Sequence, residues 1–326
     1  MSSTFKYALV AIDQSPASDI IIDCLPHFRR IGTEKLTLFI SVPVSWPGGL
    51  SRATEEKYRK KLDDYKKILE ENLSVAGLSM QVDTLAGFEI NAYPPYEIIK
   101  TAHEQKADYI IIANRGHSKY RELLLGSTAT ELLQRTNLPV YLINLSISES
   151  EEILGKSELS SRHLYCVRSC RDALQHILYP TDFSNTADRA YDALENLVSG
   201  QSVDTVGRIT LYHVQATGRI GMEDPDKLSE FNIIDRQRLE SLKKRLQKRI
   251  KAEITIDIGT GSAAYEIIEK AKSAEATMII MGGQGRSYIH ELFLGGVSFQ
   301  VVRKSSIPVL IIPALQKDGP EDELGQ

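Results

Sequence analysis

The chain repeats itself, and that limits what it can fold into. Residues 107–143 and 276–312 each run from an apolar segment into a glycine-bearing loop, then a second glycine, a helical pattern and an apolar segment led by Pro-Val. Gly116 aligns with Gly285, Gly126 with Gly295 and Pro139 with Pro308, each pair 169 positions apart. The same offset relates Tyr96–Ile99 to Tyr265–Ile268 and Asp13 to Asp182. Separated landmarks sharing one spacing mean an internal duplication. In 326 residues the duplicated unit is about 150 residues long, enough for a core of its own.

Within each unit, short apolar runs alternate with helical patterns. Residues 6–12, 36–42 and 80–86 read as strands in the first unit, and 208–214 and 253–259 match the latter two in the second. Ser15-Pro16 reads as an N-cap with proline in the first turn of a helix reaching about Arg30, and Ser184 repeats the cap. Strongly charged helices are expected near 53–74 and 229–252, with Glu–Lys pairs that support them and need no function. The tyrosines of the Tyr-Glu-Ile-Ile segments are read as core. Strands alternating with helices across short turns predict an α/β fold of two tandem doubly wound, parallel, five-stranded, Rossmann-like sheets. The expected limits are 1–146 for the first domain, 147–171 for a linker, 172–314 for the second domain and 315–326 for a disordered acidic tail.

A strand, a G-x-x-G loop, nine further residues, a glycine followed by Gly, Ser or Thr, a helix and an L-P-V or I-P-V strand together resemble the universal stress protein family. The acidic residue after the first strand, Asp13 or Asp182, belongs to that resemblance, which covers nearly the whole chain in two copies. It implies an adenine nucleotide alpha hydrolase-like fold with strands one and four adjacent. It also implies a cytoplasmic protein that binds ATP or a related nucleotide, with Mg2+ as companion ion, and acts in stress response through ligand-dependent contacts with protein partners of unstated identity.

Open α/β sheets bind ligands beyond the carboxyl ends of strands, where the strand order reverses. Glycine there lets an anion approach the main chain, and a helix beginning at the same loop adds free N–H donors and its positive dipole end. On this reading Asp182 would accept ribose hydroxyls, Val214 would meet the adenine with its backbone, and Gly282, Gly285, Arg286, Gly295 and Gly296 would surround the phosphates. Asp13, Val42, Gly116, Gly126 and Ser127 are the first-domain equivalents. The bland alternatives are an Asx-turn for the acid and a simple turn for the glycines.

The copies depart from the family pattern differently. Ala113 stands where the second copy has Gly282, so its β-carbon is expected to crowd the phosphate, at roughly 1–2 kcal/mol if the residue is left-handed. His117 replaces Arg286, and a loop histidine there is read as having no chemical role. In the second copy Gly296 replaces the hydroxyl of Ser127, with loss of one side-chain bond to an anion. The second domain is therefore expected to hold the tighter site.

His163, Cys166, Cys170 and His176 give H-x2-C-x3-C-x5-H. On a helix the first three would share a face able to hold a soft metal, but the reading taken is two cysteines packing a linker helix, with no metal. Three cysteines, Cys24 included, do not suggest a disulfide framework.

A net charge of −4 argues against a nucleic-acid coat. The amino terminus shows no signal-peptide pattern and no apolar run approaches a bilayer-spanning length, so no membrane partner is expected. The segments after Pro139 and Pro308 resemble those through which family members pair. The two domains are expected to pair with each other, and further association into a homodimer is left open. A nucleotide-free scaffold or small-ligand binder of the same fold is the second reading. Enzymatic turnover beyond slow ATP hydrolysis is not expected, since the chain has no Walker A lysine, no HIGH motif and no SGGxDS loop.

Overall fold

The structure, a computed structural model, describes residues 5–44, 49–116, 125–154, 157–166, 170–199, 201–202, 204–215, 225–285 and 294–314, with side chains omitted at 147–163 and 225–230. The expected tail and the positions of His117 and Arg286 lie outside the described residues.

The first half runs β1 (Tyr7–Ala11), α1 (Pro16–Cys24), β2 (Lys35–Val44), α2 (Arg52–Val75), β3 (Gln81–Ile90), α3 (Pro94–Glu104), β4 (Tyr109–Ala113), α4 (Ser127–Arg135) and β5 (Val140–Ile143). A hairpin follows, β6 (Leu145–Leu154) with β7 (Ser157–Cys166). The second half repeats the plan as β8 (His176–Thr181), α5 (Asn185–Val198), β9 (Arg208–Gln215), α6 (Pro225–Gln247), β10 (Glu253–Thr260), α7 (Ala263–Ser273), β11 (Met278–Gly282), α8 (Gly296–Lys304) and β12 (Val309–Ile312).

The strands of each half are parallel, in the order β3-β2-β1-β4-β5 and its repeat β10-β9-β8-β11-β12. Strands one and four are neighbours in both, which puts the order reversal where the resemblance implies it. The two sheets do not stay separate. β5 and β12 pair antiparallel, Leu142 with Val309 and Val140 with Ile311, so ten strands form one sheet. Asn144 Nδ2 reinforces the join by donating to Ile307 O at 2.8 Å. Because the halves meet antiparallel, their carboxyl strand ends face opposite edges of the sheet.

Alternation along the strands builds two cores. Ala8 and Val10 point to one face with α1, α2, α5 and α6, whereas Leu9 and Ala11 point to the other with α3, α4, α7 and α8. Each core runs unbroken across the β5–β12 join, through Tyr141 and Leu310 on one face and Leu142 and Val309 on the other. Among the described residues no helix is long and apolar enough to cross a membrane.

Several expectations are corrected. The linker is not helical: β6 and β7 pair along their whole length, from Leu145 with Cys166 to Ser157 with Leu154. Cross-strand ladder bonds of this hairpin outcompete the helix that the cysteine spacing suggested. Cys24 and Cys170 form a disulfide across a sequence separation of 146, a pairing that no local pattern announces. By contrast His176 opens β8, as a histidine heading an apolar run was expected to, with its Nε2 2.8 Å from Thr210 Oγ1. Tyr96 and Tyr265 are 53% and 61% exposed rather than core, because Ile98 and Ile267 take the buried face of their helices. The first helix ends at Cys24 and continues as a 3-10 turn to Ile31.

Candidate functional site

Asp182 follows directly on β8, and Asp13 comes after β1 with Ile12 between them. The residue after each acid is left-handed: Gln14 at φ 60° and Phe183 at φ 58°. A non-glycine residue there costs about 1–2 kcal/mol, and both halves accept it at the same point. The turn aims each carboxylate at the neighbouring strand-four loop. A β-carbon on Gly116 would overlap Asp13 Oδ2, and one on Gly285 would lie 2.7 Å from Asp182 Oδ2. Acid and loop glycine therefore share one crevice in each half. The other carboxylate oxygen holds the turn: Asp13 Oδ1 accepts from Ser15 N at 3.0 Å and Ser18 Oγ at 3.2 Å, and Asp182 Oδ1 from Ser184 N at 3.0 Å.

The second glycine of each pattern brings a helix start to the same place. Gly126 N donates to Asn114 O at 2.7 Å and Gly295 N to Gly283 O at 2.6 Å, pulling the amino ends of α4 and α8 against the loop. Gly126 and Gly295 are extended N-caps, and among the described residues no side chain accepts from the first-turn N–H groups. Those donors and the helix dipole favour an anion. Ser127 and Gly296 are first helical residues rather than caps, so Gly296 sacrifices no cap; a β-carbon there would meet nothing within 4 Å.

Ala113 does not crowd the loop. Neither Ala113 nor Gly282 is left-handed, so the expected backbone cost is absent. A β-carbon at Gly282 would point instead into the start of α5, 3.0 Å from the Thr186 carbonyl carbon and its Cγ2. The first half has Ala17 where the second has Thr186, and Ala17 and Ala113 share one core cluster. The methyl missing from residue 282 is supplied across the contact by Thr186. Packing against α5 therefore requires glycine at 282.

The loops themselves differ. Asn114 Oδ1 accepts from Leu145 N at 2.9 Å, and Arg115 Nε donates to Leu145 O at 3.2 Å, which ties the first loop to the start of the hairpin. Burial lowers the affinity of the Arg115 guanidinium for its proton. The second loop carries Gly283 and Gln284 there. Gln284 is buried and its Oε1 has no partner among the described residues. Val42 lies buried on β2 beside Phe88 of β3, and Val214 half-buried on β9 beside Gly259 of β10.

One cluster went unread in the sequence. His213, buried at the end of β9, has Nδ1 2.7 Å from Thr181 O and Nε2 3.4 Å from Asp235 Oδ2 of α6. Gln215 Nε2 donates to the same carboxylate at 3.0 Å, and the Phe183 ring lies 4.7 Å from the imidazole. Both ring nitrogens thus face oxygens and fasten α6 to the strand that presents Asp182. The available signal was a histidine within a strand-forming run.

Fold and site together define a tandem doubly wound α/β protein with an acid–glycine crevice at the switch point of each half. The universal stress protein family model matches residues 4–144 and again 173–313, so the chain belongs to the universal stress protein family. A universal stress protein of Mycolicibacterium smegmatis is 24% identical over 320 residues, 95% of this chain and 98% of its own. One from Mycobacterium tuberculosis is 20% identical, covering 93% and 95%. The crystal structure of a universal stress protein from Archaeoglobus fulgidus superposes with a TM-score of 0.64 at 22% identity, covering 95% of this chain and 98% of that one, and supports the fold.

Proposed function

We propose that this chain binds ATP or a related nucleotide at the carboxyl strand ends, chiefly in the second half, and acts in stress response through ligand-dependent partner contacts. The observation that carries the reading is the contact of Asp182 Oδ2 with the Gly285 position beside the uncapped start of α8. It offers a carboxylate for ribose hydroxyls and main-chain N–H groups for phosphates within one crevice. Mg2+ would accompany the phosphates as their counter-ion. Arg286 follows Gly285 in the chain and would serve as a further phosphate partner. The second half is favoured because Gln284 Oε1 has no partner among the described residues, whereas Asn114 and Arg115 are committed to Leu145. The chain is read as a binder without assigned catalytic residues.

The test begins with freshly purified protein, denatured, its released nucleotide identified by chromatography and mass. ATP with Mg2+ is then titrated calorimetrically into wild type, Asp182→Ala, Asp13→Ala and Gly296→Ala. Loss of charge-assisted bonds of about 1.5–3 kcal/mol predicts roughly 10- to 100-fold weaker binding for Asp182→Ala and little change for Asp13→Ala. Gly296→Ala enters open space, so weaker binding with unchanged stability would locate the phosphates at α8. The scaffold reading draws on the bonds from Asp182 Oδ1 to Ser184 N and from Asp13 Oδ1 to Ser15 and Ser18, which give both acids a structural use. No released nucleotide and no heat with ATP would establish it.

A further inference from the structure

The chain has three cysteines, and the fold gathers all of them. Cys24 ends α1, Cys166 ends β7, and Cys170 opens the 3-10 turn before β8. Their Sγ atoms all lie within 4.8 Å of one another. Cys24 and Cys170 are buried and bonded, and Cys166 is a half-buried free thiol. The neighbourhood is a junction between the halves: Arg30 Nη1 donates to Arg171 O at 3.1 Å, and Gln201 Nε2 to Arg30 O at 2.6 Å.

We propose that this cluster is a thiol–disulfide exchange site in which Cys166 moves the disulfide from Cys24–Cys170 to Cys166–Cys170. Cys166 gives its proton to solvent, and its thiolate Sγ attacks Cys170 Sγ. The Cys166–Cys170 bond forms as the Cys24–Cys170 bond breaks, and the electron pair leaves on Cys24 Sγ, which takes up a proton. No oxidant or reductant is consumed. The initial bond ties α1 of the first half to the segment entering the second, across 146 positions. The product bond closes a local loop with three residues between its cysteines. The exchange therefore unties α1 while the β5–β12 pairing and the Asn144–Ile307 bond keep the sheet continuous.

Burial pushes the Cys166 thiol up from its ordinary value. The attacking thiolate is then scarce near neutral pH, so the exchange is slow there and speeds up as pH rises. This holds whether or not the chain binds nucleotide.

The test maps disulfides without reduction. Native wild type is incubated at pH 8.5 in the absence of added thiol, quenched in acid, labelled with N-ethylmaleimide near pH 6.5 and digested with trypsin. Arg168 separates Cys166 from Cys170, and Arg29 bounds the Cys24 peptide, so each cysteine reports independently. The expected result is time-dependent label on Cys24, matched by loss of label on Cys166 and by a Cys166–Cys170 cross-linked peptide pair. Cys166→Ser should keep Cys24 unlabelled, and Cys24→Ser treated with oxidised glutathione should form Cys166–Cys170. Wild type that retains only Cys24–Cys170 with Cys166 fully labelled overturns the proposal, and this arm needs no mutation. One equivalent of tightly held zinc on three protected thiols overturns it too, by making the cluster a metal site.

Discussion

At the end of β11 Gly282 faces Thr186 of α5, whereas at the equivalent end of β4 Ala113 goes with Ala17 of α1. Each half places one methyl-sized group in the gap between strand four and the first helix, from opposite sides. Read singly, Ala113 looked like damage to a phosphate loop. Read as a pair, it is half of a compensated exchange, and the first crevice keeps its Asp13–Gly116 contact. What separates the halves is the loop: one is tied by Asn114 and Arg115 to Leu145, and the other leaves Gln284 Oε1 without a partner among the described residues. Duplicated sites diverge in their second-layer contacts while the landmark residues stay recognisable.

The largest effect should come from cutting the covalent tie, since it conceals any difference in stability between the halves. Cys24→Ser removes a cross-link spanning 146 positions and should lower stability by about 2–5 kcal/mol. Urea unfolding should then resolve two transitions, and a single unshifted transition would show the tie to be mechanically idle. Next comes the compensated pair. Gly282→Ala presses a methyl onto Thr186 and should destabilise by about 1–3 kcal/mol. Gly282→Ala with Thr186→Ala removes the Cγ2 contact and should recover part of that loss, since the Thr186 carbonyl carbon and oxygen stay 3.0 and 3.1 Å from the new β-carbon. Additivity in the double-mutant cycle would mean the two residues do not compensate each other.

A smaller effect is expected at the join. Asn144→Ala leaves the Ile307 carbonyl without its cross-half donor and should cost about 1–2 kcal/mol, measurable as a shift in thermal midpoint with the secondary structure retained. The smallest concerns pH. Burial first, then Arg208, lowers His176 below its ordinary 6.5. Burial, then Arg30 and Arg171, does the same to His27. A histidine held neutral in the native state binds its proton more readily when unfolded. Its contribution is therefore complete above pH 6.5 and declines as pH falls through 6.5 toward the lowered native value. Arg30 and Arg171 meet where the halves join, so Cys24→Ser should weaken the His27 part of that slope and spare the His176 part. An unchanged acid limb in His176→Gln would remove that residue from the account.

The repeated Gly116/Gly285, Gly126/Gly295 and Asp13/Asp182 landmarks fixed the duplication, the parallel α/β class and the candidate crevices, because strand periodicity and glycine placement are local properties of the chain. The β5–β12 pairing was expected through the family resemblance of the segments after Pro139 and Pro308, and the structure bears it out. Three things were decided only in three dimensions. The three cysteines meet because α1, β7 and the 3-10 turn before β8 pack together. The packing role of Gly282 depends on Thr186, and the exposure of Tyr96 and Tyr265 on which helix face Ile98 and Ile267 claim. In each case the energy lies in contacts between elements far apart along the chain, and no local pattern encodes those.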